Sequence, residues 1–369
     1  MSTHGPVLSD RVTRVRSRMA ELDIDCLLLS LGADLPWLTG YTAMPLERLT
    51  MLVLPADDAA TLVVAGLEAP RVEEHPDVFT IRPWSDTDDA VGIVAELVGG
   101  RRRLAISDRA WATFLLQLEA SLPDAQWQAA SLVSSPLRAR KDAAEIAALR
   151  AASRAADRVA AQLQAGDIPL IGRTEAEVSA DIGARLVAEG HHHVNFAIVG
   201  SGPNSASPHH DAGPRVIGPG EAVVCDFGGT MDGYCSDITR TVFTGEPPSE
   251  FRDLYAVLYE AQGAAVAAAT VGTPCEDVDG VARRLIEDGG YGAHFIHRTG
   301  HGIGLEEHED PYIVGGNCEP LAPGHAFSVE PGIYLAGRYG ARIEDIVVAA
   351  EAGPEPLNNV THGLAILDV

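Results

Sequence analysis

The chain has 369 residues, 46% of them apolar and 21% charged, which suits a soluble globular protein long enough for two domains and a substantial core. Lysine and arginine number 27 against 52 aspartates and glutamates, a formal charge of −25 that argues against nucleic acid or an anionic membrane as partner. No uncharged apolar run reaches the ~18 residues of a membrane span, the opening MSTHGPVLSD has no apolar leader core, and Cys26, Cys225, Cys235, Cys275 and Cys318 are odd in number without C-x-x-C spacing, so reduced thiols in a cytoplasmic protein are expected.

In chain order, SDRVTRVRSRMAELD has helical periodicity and is followed by a buried-strand candidate, CLLLSL. TMLVLPA, ATLVVAGL, FTIRPW and RLAISD read as further strands, and DAVGIVAELV and RAWATFLLQLEA as helices. Arg101-Arg102-Arg103 is expected to form a solvated loop. These pieces make a small α/β domain over residues 1–136. Composition then shifts at SSPLRARKD, and an alanine-rich helix is predicted from about Lys141 to Ala165, opening a second domain over 137–369.

The second domain carries an internal repeat. RTEAEVSADIGARLVAEG (173–190) aligns without gaps with GTPCEDVDGVARRLIEDG (272–289) at an offset of 99. Thr174 and Thr273 are predicted N-caps with Glu177 and Glu276 completing capping boxes, and Gly190 and Gly289 are predicted helix stops. At the same offset His209 falls on His308. GPGEAVVCDFGG (218–229) then aligns with APGHAFSVEPGI (322–333) at an offset of 104, matching Asp226 to Glu330, and Asp237 and Glu344 follow their partners by 11 and 14 residues. Polar positions that recur in register imply two related half-domains.

AVVCDFGG and CSDITRTVF read as strands joined by a turn containing Asp232-Gly233. Closing that hairpin midway between Met231 and Asp232 sets Asp226 opposite Asp237, with Cα atoms ~4.5–5.5 Å apart. AFSVEPGIYL and GARIEDIVVA repeat the arrangement for Glu330 and Glu344 around Gly337. Opposed carboxylates repel unless protonated or bound to a cation. Four of them with one imidazole form an oxygen-rich set able to bridge two ions, suiting Mn²⁺ best, with Zn²⁺ and Co²⁺ open. By strand alternation Cys225 should point into the core, and His191, His192 and His193 cannot all converge on one point.

DFGGTMDGYCSDITRT, HRTGHGIGLEEHEDPY and FSVEPGIYLAGRYGARIED resemble the pita-bread metallopeptidases, in the aminopeptidase P and prolidase branch, with actinobacterial Xaa-Pro peptidases and dipeptidases the most similar. The first domain, including DLPWLTGYT, more loosely resembles the N-terminal domain of that branch. The resemblance implies an α/β (α+β) fold: a small N-terminal creatinase/prolidase-like domain followed by a pseudo-twofold pita-bread catalytic domain. It implies five ligands, Asp226, Asp237, His301, Glu330 and Glu344, for two divalent ions, with Asp237 and Glu344 bridging. His209, His297 and His308 match substrate-side histidines, Arg342 a supporting arginine, and Tyr334 a substrate contact. The implied activity is hydrolysis of the N-terminal Xaa-Pro bond of dipeptides or short peptides by a water activated between the ions. Glu330 is the implied general base and acid, with His308 and His209 catalytic beside it. A homodimer is implied as well. The alternatives are a general dipeptidase or aminopeptidase on the same fold, and a non-catalytic binding protein using it as an interaction surface.

Overall fold

Leu8, Val12, Val15 and Met19 recur at helical spacing and are all buried, which fixes the inward face of the first helix, α1 (Gly5–Glu21). That helix opens the computed structural model, which describes residues 5–368. Residues 1–4, on which the expectation of no leader partly rests, lie outside the described residues. The chain divides into two compact units, Met1–Arg138 and Ala139–Val369. No described helix is long and apolar enough to cross a membrane.

In the first unit α1 is followed by β1 (Cys26–Leu29), α2 (Asp34–Thr39), β2 (Met51–Pro55), β3 (Ala60–Ala65), β4 (Phe79–Trp84), α3 (Ala90–Val98), β5 (Arg103–Ile106), α4 (Ala112–Ser121), β6 (Gln126–Ala129) and α5 (Ser131–Ala139). The strands form one six-stranded sheet in the order β4-β3-β2-β1-β5-β6. Fully buried runs such as CLLL and MLVLP take its centre, as continuous apolar strands should. The edge strand β6, QWQA, alternates too weakly to be seen in the sequence and is only half covered. The arginine run is a loop at Arg101 and Arg102, with Arg102 exposed, as expected, but its last residue is strand. Arg103 begins β5, and Arg101, Arg102 and Arg103 pair with Asp57, Asp124 and Asp25 respectively, because the strand start brings acids of neighbouring turns to them.

The second unit runs α6 (Ala143–Gln164), α7 (Glu175–Ala188), β7 (His193–Ser201), β8 (Ala222–Met231), β9 (Tyr234–Cys235), β10 (Ile238–Thr244), α8 (Ser249–Ala268), α9 (Cys275–Asp288), β11 (Gly300–Gly302), β12 (Glu309–Ile313), β13 (Ala326–Val329), β14 (Gly332–Leu335), β15 (Tyr339–Arg342), β16 (Asp345–Ala350), β17 (Gly353–Pro356) and β18 (Ala365–Leu367). One sheet has the order β18-β10-β8-β7, with β9 on β8; another has β12-β11-β13-β16-β17; β14 and β15 form a ribbon. Each large sheet is backed by its own helices. Val159, Leu163, Val178, Ile182 and Leu186 of α6 and α7 pack on Val223, Cys225 and Phe227. Leu254, Leu258, Val278 and Ile286 of α8 and α9 pack on Phe327, Val329 and Val347. The duplicated halves thus bury one face of each sheet and leave the polar face of β8 and β13 for other work. Cys225 lies in the core, as alternation requires.

The repeat is less regular at its helix ends than the alignment suggests. Thr174 and Glu177 make the full capping box of α7. The matching box on α9 does not form. Thr273 bonds the Thr270 hydroxyl at 2.9 Å instead, and the Glu276 carboxylate is taken by the Gly316 amide at 3.1 Å and the Cys318 thiol at 3.0 Å. Gly190 ends α7 with φ +112°, but Gly289 is still helical at φ −71° and Gly290, at +86°, makes the stop.

Candidate metal centre

The two carboxylate hairpins differ in register. In the first, Asp232 and Gly233 occupy a two-residue turn with φ +50° and +86°, the signature of a type I′ hairpin. Pairing therefore centres one residue-step later than expected: Met231 faces Tyr234 and Asp226 faces Thr239. Asp237 is not opposite Asp226 but two positions along the same face, in the gap between β9 and β10. In the second hairpin Val329 faces Asp345 and Gly332 faces Arg342, a single register that sets Glu330 against Glu344 as the symmetric reading requires. Between those ladders both backbones turn outward, the Glu330 amide donating to Thr299 and the Glu344 amide to Thr239.

His301 arrives on β11, between β12 and β13. A side chain at Gly300 would collide with the Ser328 carbonyl, and one at Gly302 with the Asp310 carbonyl. The glycines of HRTGHGIG thus let β11 lie close between its neighbours and carry His301 inward. Nδ1 of His301 donates to the Gly302 carbonyl at 3.1 Å, which leaves Nε2 as the acceptor, 3.3 Å from Glu330 Oε1 and 3.8 Å from Asp237 Oδ2. Ligand atoms of Asp237, His301 and Glu344 lie within 4.8 Å of one another.

Asp226, Asp237, His301 and Glu344 are buried, and Glu330 is half-buried. Burial, and then the charge of Glu344, pushes the Asp237 carboxyl far above its usual range; burial and then Glu330 do the same to Glu344. Glu330 is pushed up to about 7 by burial and by Asp226, although Arg342 opposes the shift, while burial and the nearby His308 lower His301 to about 3. Arg342 reaches three ways: Nη2 to Asp226 Oδ2 (2.7 Å), Nη1 to the Tyr334 hydroxyl (2.7 Å) and Nε to Thr239 Oγ1 (3.0 Å). Thr239 in turn donates to Glu344 Oε2 at 2.7 Å.

The expected site residues converge on one cavity of about 530 Å³, lined by His209, Asp226, Asp237, His297, His301, His308, Glu330, Arg342 and Glu344. The rings of His301 and His308 are 4.0 Å apart between centroids. Tyr334 is the exception. It is buried and does not line the cavity, its hydroxyl being held by Arg342 and by His297 Nε2 at 2.9 Å. Arg298, Glu307, Phe196, Ile198 and Pro208 also line the cavity and were not singled out. Phe196 and Ile198 alternate on β7, with Ile198 beside Asp226, so period-two spacing held the signal for both. His191 is occupied elsewhere, between the Leu186 carbonyl (3.1 Å) and Ser236 (2.8 Å).

Divalent cations fit this donor set. Among the described residues Asp226 Oδ1 and Asp237 Oδ1 are buried without a hydrogen-bond partner, an expensive arrangement for anions. His301 presents a bare Nε2, and among the described residues Arg342, on Asp226, is the only arginine or lysine paired with one of the four carboxylates. Oxygen-rich ligation with one imidazole suits hard or borderline divalent ions.

Known proteins share the fold. Residues 146–351 match the model of metallopeptidase family M24, and 11–140 that of the creatinase/prolidase N-terminal domain. A probable dipeptidase PepE of Mycobacterium bovis is 43% identical over 368 residues, covering 98% of this chain and 97% of that protein. An Xaa-Pro dipeptidase of Lactobacillus delbrueckii subsp. lactis is 33% identical, covering 96% and 98%. The crystal structure of dipeptidase PepE from Mycobacterium ulcerans superposes with a TM-score of 0.94 at 43% identity over 100% of both chains, and that of a prolidase from Thermococcus sibiricus with 0.90 at 35% over 97% and 98%. With matches of this extent, the chain belongs to metallopeptidase family M24 and is a metal-dependent peptidase carrying a creatinase/prolidase N-terminal domain.

Proposed function

We propose that this enzyme hydrolyses the N-terminal Xaa-Pro bond of dipeptides or short peptides, with two divalent ions held by Asp226, Asp237, His301, Glu330 and Glu344. The convergence of four carboxylates and a bare imidazole nitrogen on one cavity carries this reading. When bound, the ions supply a water nucleophile at neutral pH and polarise the scissile carbonyl. Glu330, oriented by Ser328 Oγ at 3.1 Å, takes the proton of the attacking water and returns it to the departing nitrogen. His308 donates to the carbonyl oxygen as charge develops there, and His209, on the cavity wall, holds the main chain near the scissile nitrogen. His297 and Arg342 complete the substrate side, Tyr334 acting through both. Proline lacks an amide hydrogen, so a site for it can omit a main-chain acceptor at that position.

Mn²⁺ is the proposed native ion, on ligand chemistry, with Co²⁺ and Zn²⁺ as substitutes. Catalysis is assigned to residues 137–369, since the cavity residues lie between Phe196 and Glu344, and 1–136 is taken as an accessory domain. Cytoplasmic residence is supported by five unpaired cysteines, four of them buried. A homodimer is proposed from the resemblance, and a monomeric sedimentation profile at micromolar concentration would count against it. The 43% identical relative, named a probable dipeptidase without a stated proline preference, favours a second reading as a general dipeptidase.

A substrate panel with defined metals tests these readings. Mn²⁺-dependent release of the first residue from X-Pro, abolished in Asp237→Ala, is expected, with two equivalents of metal per chain by elemental analysis. Equal cleavage of X-Ala and X-Pro would select the general dipeptidase. Activity surviving both exhaustive chelation and Asp237→Ala would reject the metal mechanism.

A further inference from the structure

His209 stands in a turn on the cavity wall, exposed, and among the described residues its ring makes no hydrogen bond or ion pair. Its place is therefore set by its neighbours. Upstream, the segment is tied at Ser205, whose Oγ donates to the Gly202 carbonyl at 2.6 Å and accepts from the Gly340 amide at 2.9 Å. Downstream, the very next residue is the anchor. His210 does not line the cavity; it donates from Nε2 to Glu175 Oε2 at 2.8 Å. Glu175, in the first turn of α7, is fully buried. Its Oε1 takes the Ser201 amide at 2.8 Å and the Ser201 hydroxyl at 2.7 Å, and Asn204 Nδ2 donates to both oxygens. Burial would raise its pKa, but the hydrogen bonds from Ser201 and His210 hold it below the usual carboxylate range, so His210 meets an anion.

Beyond that point the loop lies along the start of α7, the amides of Glu175 and Ala176 donating to the carbonyls of Arg215 and Gly213, both at 3.0 Å. Of these contacts only the one through His210 adjoins the cavity histidine. The second half of the molecule contains the same device. Asp279 of α9, also buried, takes the Thr299 amide at 3.0 Å and the Thr299 hydroxyl at 2.8 Å. Arg283, bound to that carboxylate, holds the carbonyl of His297, another cavity histidine, at 2.7 Å. The two acids do not align in the repeat, Glu175 falling on Pro274 at the offset of 99, so the same contact is met from different helix positions. A side chain that must meet substrate without bonds of its own needs its backbone fixed by the surrounding shell. We propose that Glu175 and His210 are positioning residues, a buried carboxylate and the imidazole it holds, that act together to keep His209 against the substrate. The inference rests on the reading of His209 as a substrate-side group, but not on the preference for proline.

The test uses the full-length, metal-loaded protein with Ala-Pro, or with Ala-Ala if only that is cleaved. Changing Glu175 would leave Ser201, Asn204 and His210 all without their acceptor and endanger folding. His210 is therefore the residue replaced, because Ser201 and Asn204 still hold the carboxylate without it. His210→Ala should lower kcat/KM roughly 10- to 100-fold, mostly through kcat, the scale of a displaced active-site group. His210→Gln, which keeps an N–H donor, should return to within about threefold of the wild type. His209→Ala should cost at least as much as His210→Ala. In the His209→Ala background, His210→Ala should change kcat/KM less than about twofold, because the pair acts only through His209. Equal fold losses in the two backgrounds, or His210→Gln as impaired as His210→Ala, would overturn the proposal, since a general loss of structure is additive and indifferent to the donor. If His209→Ala is impaired and His210→Ala is not, the positioning falls and the proposed function stands. If His209→Ala is as active as the wild type, the substrate role of His209 falls and the positioning with it. If the wild type cleaves no peptide at all, both readings fall.

Discussion

Replacing Tyr334 with phenylalanine tests the chain of contacts that runs from Asp226 through Arg342 to His297. His297 donates from Nδ1 to the Arg298 carbonyl, so its Nε2 is an acceptor and the Tyr334 hydroxyl is the donor at 2.9 Å. That hydroxyl also accepts from Arg342 Nη1 at 2.7 Å. The protonation states agree: burial lowers His297 to about 4, keeping it neutral, and raises Tyr334 to about 12, keeping its proton. Phenylalanine preserves the packing and removes both bonds. The bond to the charged guanidinium is worth about 1.5–3 kcal/mol and the neutral one about 1 kcal/mol, so a loss of roughly 2–4 kcal/mol is expected. For a unit of this size that is a drop in Tm of roughly 5–10 °C. Calorimetry at a fixed excess of metal reads it, since bound ions raise Tm by mass action. The kcat/KM should fall about tenfold as His297 loses its fixed orientation. A variant melting within about 1 °C of the wild type would refute the relay, because buried partners cannot lose two bonds at no cost.

Asp237→Asn keeps the shape of a crowded acid and removes its charge, so it should raise the Tm of the chelated protein and lower that of the metal-loaded one; lowering both would count against charge crowding. Lys141 and Glu309 form a buried pair at 2.6 Å, so Lys141→Met should cost about 3–5 kcal/mol in urea denaturation, most of it recovered by adding Glu309→Leu. Thr174→Ala should cost about 1 kcal/mol and Thr273→Ala less than about 0.5, since only the first is a formed cap. His325 is buried and held at about 4 by that burial and by Lys141, against 6.5 when unfolded. The unfolded chain binds the extra proton first, so stability is complete above about pH 6.5 and falls by up to about 3 kcal/mol as pH drops to about 4; His325→Gln should flatten that slope in pH-dependent urea titrations.

Most of the centre was legible because its signals are local and periodic. Leucine, valine and methionine spacing gave the buried face of α1, and alternation on β8 separated Cys225 in the core from Asp226 in the cavity. What stayed hidden depends on contacts between distant segments. Glu276 is drawn from its cap by the turn at 316–318, and Tyr334 is turned from the cavity by Arg342 and His297. Arg298 lies over the Tyr312 ring, yet among the described residues its guanidinium has no hydrogen bond or ion pair, and a missing bond has no signature in a string of residues.

The displaced register of the first hairpin shows why the prediction survived its own error. Side chains on a strand alternate with period two, so a slip of one residue sends a carboxylate to the opposite face, whereas a slip of two leaves it on the same face. The Asp232-Gly233 turn produces a slip of two: Asp226 meets Thr239 instead of Asp237, and Asp237 remains on the cavity side as a diagonal neighbour. The change also gives Thr239 a place directly beside Asp226, from which it bonds both Glu344 and Arg342 and so ties the first half's hairpin to the second's. Were the pairing symmetric in both hairpins, Asp226 would face a second acid where it now faces that hydroxyl. The asymmetry therefore lowers the like-charge cost on one side of the cavity and leaves Glu330 and Glu344 as the directly opposed pair.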